Sequence, residues 1–236
     1  MKKIAIICAS ALITLGAQAQ TQKGNVALTG RFGYTQQKAD PDKSNGKYSY
    51  TLDSYTYTLA PAIGVFVKDN LEIGASVYLT KSTSESLSTN LNYRGDDLEE
   101  GEGRRYSVYA TQYKFLKERL AMHGTLSAGL GNTENSRFFT NRDQVGVYQL
   151  GDHYDRSSEF SVALSPGLTF FPSDRIGVSA NLGSLRYSRR DIGQTYKSVM
   201  YNNDPEYIEA AYISNILELN FSTMYLNFGL TYFFGK

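Results

Sequence analysis

Leu71-Glu72-Ile73-Gly74-Ala75-Ser76-Val77-Tyr78-Leu79-Thr80 alternates apolar and polar side chains without a break. Side chains along a strand point to opposite faces in turn, so Leu71, Ile73, Ala75, Val77 and Leu79 share one face. Glu72, Gly74, Ser76, Tyr78 and Thr80 share the other. One face is greasy; the opposite face is small and mostly polar.

The same pattern recurs on both sides of this stretch. Upstream, Val26, Leu28, Phe32 and Tyr34 alternate with Ala27, Thr29, Arg31 and Gly33, and Tyr57, Leu59, Ile63, Val65 and Val67 mark a second strand. Downstream, the stretch from Arg105 to Leu116 is a fourth strand whose facing stays open, because Tyr109, Tyr113 and Phe115 alternate against Val108, Ala110 and Gln112. Leu120, Met122, Leu126, Ala128 and Leu130 make a fifth apolar face, opposite Ala121, His123, Thr125, Ser127 and Gly129. Phe160, Val162, Leu164, Leu168 and Phe170 make a sixth, and Ile176, Val178, Ala180 and Leu182 a seventh. Met224, Leu226, Phe228, Leu230, Tyr232 and Phe234 make the eighth.

Three of the connections are tight: Lys68-Asp69-Asn70, Lys117-Glu118-Arg119, and Pro172 to Arg175. The other four are long and polar, at 37–53, 84–104, 132–157 and 188–214. A soluble sandwich would bury the apolar face and put charge on the other. Here the second face is Gly, Ala, Ser, Thr and Asn, which fit the narrow interior of an eight-stranded barrel. Backbone amides in hydrocarbon must all be paired, so strands cross a bilayer only as a closed ring. The expected fold is all-β, an eight-stranded antiparallel up-and-down transmembrane β-barrel with short periplasmic turns and long extracellular loops. Tyr34, Tyr55, Tyr57, Tyr106, Phe170, Phe171, Tyr232, Phe233 and Phe234 lie near strand ends, where aromatic girdles are expected.

Residues 1–19 read as a cleaved signal peptide: Lys2 and Lys3, an apolar run from Ile4 to Leu15, then Ala17-Gln18-Ala19 as cleavage site. Cys8, the single cysteine, lies inside it, so the expected mature chain, 20–236, is one barrel domain without a thiol. Removing Lys2 and Lys3 leaves 22 basic against 23 acidic residues, a balance that excludes a polycationic nucleic-acid binder.

The layout and the last strand, Met224-Tyr-Leu-Asn-Phe-Gly-Leu-Thr-Tyr-Phe-Phe234, resemble the small eight-stranded outer-membrane β-barrel proteins of Gram-negative bacteria, the form lacking a periplasmic domain. The likeness spans nearly all of the expected mature chain, with Gly235 and Lys236 following the terminal aromatic. It implies location in the outer membrane, a terminal strand read by the barrel-assembly machinery, and contact with outer-membrane lipids and lipopolysaccharide. No peptidoglycan-binding domain is expected to follow.

The loops are expected to carry specificity. Asp96, Asp97, Glu99, Glu100 and Glu102 precede Arg104 and Arg105, a charge set suited either to solvation or to bridging divalent cations or lipopolysaccharide phosphates. Asp40-Pro41-Asp42-Lys43-Ser44-Asn45-Gly46 has a superficial likeness to a calcium loop, with its glycine displaced and Thr51 where a bidentate Glu belongs. Tyr196, Met200, Tyr201, Tyr207 and Tyr212, with Glu206 and Glu209, offer aromatic contact to an extracellular protein or surface partner.

For catalysis there are only two histidines. His123 is expected as a satisfied lumen residue, while His153, beside Asp152 and Asp155 and before Ser157 and Ser158, is a candidate base. A His-x-Ser pattern is absent, since His123 is followed by Gly124-Thr125 and His153 by Tyr154-Asp155. No glycine-rich phosphate loop is present either, Gly129-Leu130-Gly131 lying within a strand. No catalytic, cofactor-binding or metal-binding residue is therefore assigned. Arg31, Glu72, Tyr78, His123 and Asn181 are expected to point inward and plug the lumen. The expected role is non-enzymatic, structural or adhesive, with a lipid-modifying enzyme and a narrow small-solute channel as alternatives.

Overall fold

A computed structural model describes residues 20–39, 48–90, 93–143, 148–200, 206–221 and 227–235. The signal-peptide reading of 1–19, including Cys8, and the calcium-like segment at 40–46 lie outside these residues.

Twelve strands are described: β1 (Val26–Gly30), β2 (Phe32–Ala39), β3 (Tyr48–Leu59), β4 (Ala62–Lys68), β5 (Leu71–Asn90), β6 (Tyr93–Lys117), β7 (Leu120–Asp143), β8 (Tyr148–Ser173), β9 (Ile176–Asn181), β10 (Ser184–Met200), β11 (Glu206–Asn220) and β12 (Asn227–Phe234). In chain order they group into eight staves, since β1–β2, β3–β4, β9–β10 and β11–β12 are four interrupted strands. All pairings are antiparallel and run β1–β4–β5–β6–β7–β8–β9–β12, and β12 returns to β1 with Val26 opposite Phe234 and Gly30 opposite Leu230. The ring is closed, so every stave in it has two neighbours and no edge. Above it, β3 pairs β5 and β10 pairs β8, while among the described residues β2 pairs only β3 and β11 only β10.

The three tight turns lie where the residue types place them. At each one the register shifts by a bulge on the incoming strand, between Phe66 and Lys68, Phe115 and Lys117, and Phe170 and Ser173. Asn70 takes a left-handed conformation at φ 65° in the first turn, a position Asn tolerates better than most residues. Residues 20–25 cross beneath: the Thr21 hydroxyl donates to Asn70 Oδ1 at 2.6 Å, and the Asn70 amide donates to the Thr21 carbonyl at 2.8 Å.

Around the ring the outward face is an unbroken apolar belt. Leu28, Ile63, Val65, Ile73, Val108, Leu126, Leu130, Phe160, Leu164, Phe228 and Leu230 are all exposed. Such a surface is tolerable only in contact with lipid. The buried positions face inward instead, among them Ala27, Ala62, Phe66, Glu72, Thr111, Ala121, His123, Thr169 and Thr231.

Two expectations change. The long connections are largely regular: β5 and β6 stay paired up to Asn90–Tyr93, and β7 and β8 up to Arg142–Tyr148. Once a strand has left hydrocarbon neither face needs to be apolar, so the ladder continues while its sequence signature fades. Phe171 and Phe233 do not join a girdle. Each follows an outward aromatic, Phe170 or Tyr232, and both are buried inside the barrel.

Candidate functional site in the barrel lumen

The lumen is built in layers, and the lowest is aromatic. Phe66, Phe171 and Phe233 meet with ring centroids 5.7 Å (Phe171–Phe233) and 6.2 Å (Phe66–Phe233) apart. Tyr113 packs on Phe66 at 5.8 Å and Phe115 on Phe171 at 5.5 Å. Ala27 and Ala121, fully buried within the same cluster, leave room for these rings. The fourth strand's facing is settled here: Tyr109, Tyr113 and Phe115 point inward, and Tyr106, Val108 and Leu116 are exposed outside.

Directly above is a polar layer. Glu72 accepts from the Tyr109 hydroxyl at 2.6 Å and from the Tyr113 hydroxyl at 2.9 Å. Asn181 Oδ1, which can only accept, lies 3.2 Å from His123 Nε2, so that nitrogen carries the proton. Nδ1 is then the acceptor for the Thr169 hydroxyl at 3.0 Å. The hydroxyl pairs Thr29–Thr231 at 2.8 Å and Thr111–Thr125 at 2.9 Å complete the layer. Glycines make the fit possible: a Cβ on Gly74 would lie 2.5 Å from the Tyr109 ring, and one on Gly167 would collide with His123. A residual cavity of about 30 Å³ is bordered by Arg31, Glu72, Tyr109, His123 and Thr231 among others. That holds a water or two.

Higher in the lumen, three guanidinium groups converge on one carboxylate. Arg105 Nη2 donates to Glu159 Oε1 at 3.1 Å, Arg186 Nη2 donates to the same oxygen, and Arg190 Nε donates to Oε2 at 2.6 Å. The Arg105 guanidinium also lies 5.6 Å above the Tyr78 ring. The Glu159 side chain is 9% exposed, while the arginines keep 22% to 39% of theirs.

At the outer end the lumen widens into a vestibule of about 510 Å³ bordered by Tyr50, Ser86, Ser88, Asp97, Arg137, Phe139, His153 and Tyr196. Arg137 grips Asp97 through Nε, 2.9 Å from both carboxylate oxygens, and through Nη2. The Arg137 guanidinium lies 6.0 Å from the Phe139 ring centre, and Tyr196 stands 6.1 Å from Phe139 and 5.4 Å edge-on to His153. His153 Nε2 pairs with Asp155 Oδ1 at 2.8 Å, and its buried Nδ1 has no partner among the described residues.

The acidic stretch 96–102 does not form one site. Successive strand residues point to opposite faces, so Asp97 turns inward to Arg137 and Arg105 inward to Glu159, whereas Glu102 pairs outside with Lys81 at 3.3 Å and Asp96 lies 3.5 Å from Arg94. Among the described residues no group of three or more His, Cys, Asp or Glu side chains is placed to hold a metal ion. The aromatic group of the fourth connection also divides: Tyr196 borders the vestibule, Tyr212 is exposed on β11, and Tyr201 lies outside the described residues. Of the proposed inward set, Glu72, His123 and Asn181 bond within the floor, Arg31 borders its residual cavity, and Tyr78 sits higher, under Arg105. His153 is not joined to either nearby serine, and the Ser158 hydroxyl donates to Asn132 Oδ1 at 3.1 Å.

Arg186, Arg190, Glu159, Arg137, Phe139 and Tyr50 were not reached by sequence reading. The spacing Arg186-x-Ser188-x-Arg190, three polar residues on one face of a strand, was the available signal.

No protein-family model and no curated protein matches the chain. Among solved structures it is similar to the outer membrane protein OprG from Pseudomonas aeruginosa, at 10% identity and TM-score 0.39, covering 92% of this chain and 99% of that one. A major outer membrane protein from Thermus thermophilus aligns at 9% identity and TM-score 0.46, covering 90% and 100%. Ail, the attachment invasion locus protein of Yersinia pestis, aligns at 14% identity and TM-score 0.36, again covering 90% and 100%. The closed ring, the apolar belt and the polar lumen define the class on their own: the protein is a small, eight-stranded integral β-barrel of the outer membrane.

Proposed function

We propose that this barrel is a non-enzymatic surface-recognition protein that engages an extracellular partner through the rim of its extended hairpins and the vestibule they enclose. The observation that carries this reading is the contrast along one lumen: a floor closed down to about 30 Å³ beneath a mouth open to about 510 Å³. A blocked floor argues against the channel alternative, and the paired extensions of β5, β6, β7 and β8 support the mouth. Aromatic faces at Tyr50, Phe139 and Tyr196, beside the Arg137–Asp97 pair, are residue types favoured at recognition surfaces. On this reading lipid and lipopolysaccharide surround the belt, and the barrel-assembly machinery inserts it.

The test compares cells carrying the wild type, a deletion, and the double variant Arg137→Ala/Phe139→Ala for attachment to surfaces coated with host-type glycoproteins and to other bacterial cells. Loss of attachment in the deletion and the double variant, with equal barrel in the membrane, is the expected result. Attachment unchanged in the deletion sinks the proposal. The lipid A profile of the same strains is expected to stay constant, and a profile altered by the deletion and by His153→Ala favours the enzyme instead.

A further inference from the structure

We propose that the lumen holds a binding site for a small oxyanion of the phosphate class, formed by Arg105, Arg186 and Arg190. The three side chains carry three positive charges and face one carboxylate, Glu159, which leaves two charges without an acidic partner among the described residues. Glu159 already accepts from all three: Oε1 serves Arg105 and Arg186, and Oε2 serves Arg190. Three guanidiniums present roughly fifteen N–H donors, and the carboxylate takes only a few of them. The Arg105 Nε–H is buried and has no partner among the described residues, and a buried donor left unpaired is destabilising. The other ring in reach, Tyr78, supplies a π-face under Arg105 and no acceptor charge.

A doubly charged phosphate answers each of these features. Its charge equals the excess, its several oxygens suit planar guanidinium forks, and bidentate arginine pairs are among the strongest hydrogen bonds available to it. The approach is from the mouth: on β6 the inward positions above Arg105 are Gly103 and Gly101, and the side chains packed over them, Thr80, Ser82 and Asn135, are small and polar. The closed floor lies below, so the ligand enters and leaves by the same opening. The cluster lies on the lumen side of β6, β8 and β10, so the proposed ligand is a dissolved phosphate or phosphorylated solute.

The test is calorimetric titration of the refolded full-length barrel in dodecyl maltoside with sodium phosphate, at fixed ionic strength against sodium chloride. Wild type is expected to give saturable heat with phosphate and none with chloride. Arg190→Gln, at the most exposed of the three, is expected to weaken binding at least tenfold. Glu159→Gln removes the competing carboxylate and is expected to tighten it at least tenfold. It is also expected to raise the phosphate-induced gain in melting temperature above that of wild type, a readout that holds even if this variant is less stable. A merely structural ion-pair cluster predicts no saturable heat in wild type. Absence of saturable heat in wild type, with β-barrel circular dichroism intact, overturns the proposal, as does an equal response to chloride.

Discussion

Each end of the lumen has one histidine and a group of aromatic rings, and the two ends behave in opposite ways. At the floor both nitrogens of His123 are occupied, by Thr169 and Asn181, and the rings of Phe66, Phe171 and Phe233 touch one another. At the mouth His153 has one nitrogen on Asp155 and the other without a partner among the described residues, and Tyr50, Phe139 and Tyr196 border the vestibule. Residue type does not separate the two. The difference lies in what stands opposite the large side chains. At the floor, Gly74, Gly167, Ala27 and Ala121 yield volume that rings and Glu72 then fill. At the mouth, Ser86, Ser88 and Gly95 yield volume that no described residue fills. Packed volume makes the floor a stabilising element, and on the proposed reading the open volume makes the mouth a place for a ligand.

Substitutions test that division directly, and the largest effect is expected at the floor. Phe171→Ala removes a fully buried ring and should cost about 3–5 kcal/mol, read as a lower urea midpoint for the barrel in lipid vesicles, with attachment by the remaining folded protein unaffected. Glu72→Leu strands the Tyr109 and Tyr113 hydroxyls in the interior and should cost about 3 kcal/mol in the same measurement. An unchanged midpoint would remove the polar layer from the account of stability.

A matched pair of glycine substitutions sharpens the contrast. Gly167→Ala drives a methyl group into His123 and the Ala180 carbonyl, 2.7 Å away, and should cost about 1–3 kcal/mol. Gly151→Ala meets first the end of the Phe139 ring, at the border of the vestibule, and should cost less than Gly167→Ala. Equal losses from the two would mean that the mouth is as tightly packed as the floor. A small change in stability is expected for Arg137→Ala, whose ion pair with Asp97 is partly solvated and worth less than about 1 kcal/mol. This variant should weaken attachment while leaving the urea midpoint nearly in place.

The eight staves, their facing and the three tight turns were legible because hydrocarbon enforces a strict two-residue alternation on whatever crosses it. Strand four was not, since Tyr109, Tyr113 and Phe115 are aromatic yet point inward to Glu72 and the floor, which cancels the apolar contrast between its faces. The hairpin extensions read as loops for the opposite reason. Ser82, Ser84, Ser86 and Ser88 alternate with Thr83, Glu85, Leu87 and Thr89, a pattern with little contrast once water lies on both sides. The arginine cluster joins β6, β8 and β10, and the vestibule draws on several strands. Such groupings depend on the relative heights of the staves, which are set by pairing register and not by local pattern.

The seam where β1 meets β12 dictates when this molecule becomes itself. Thr29 and Thr231 share a hydrogen bond across 202 positions of sequence, and only five residue pairs, Val26–Gly30 with Leu230–Phe234, join the two strands. Every other ladder of the ring can form between strands that are close together in the chain. This one requires both ends of the chain to be present and the rest of the sheet to have curled round, so it is expected to form last and to govern the folding rate. Until that moment the chain is an open sheet with two bare edges, and the time it spends in that state sets its exposure to aggregation and proteolysis.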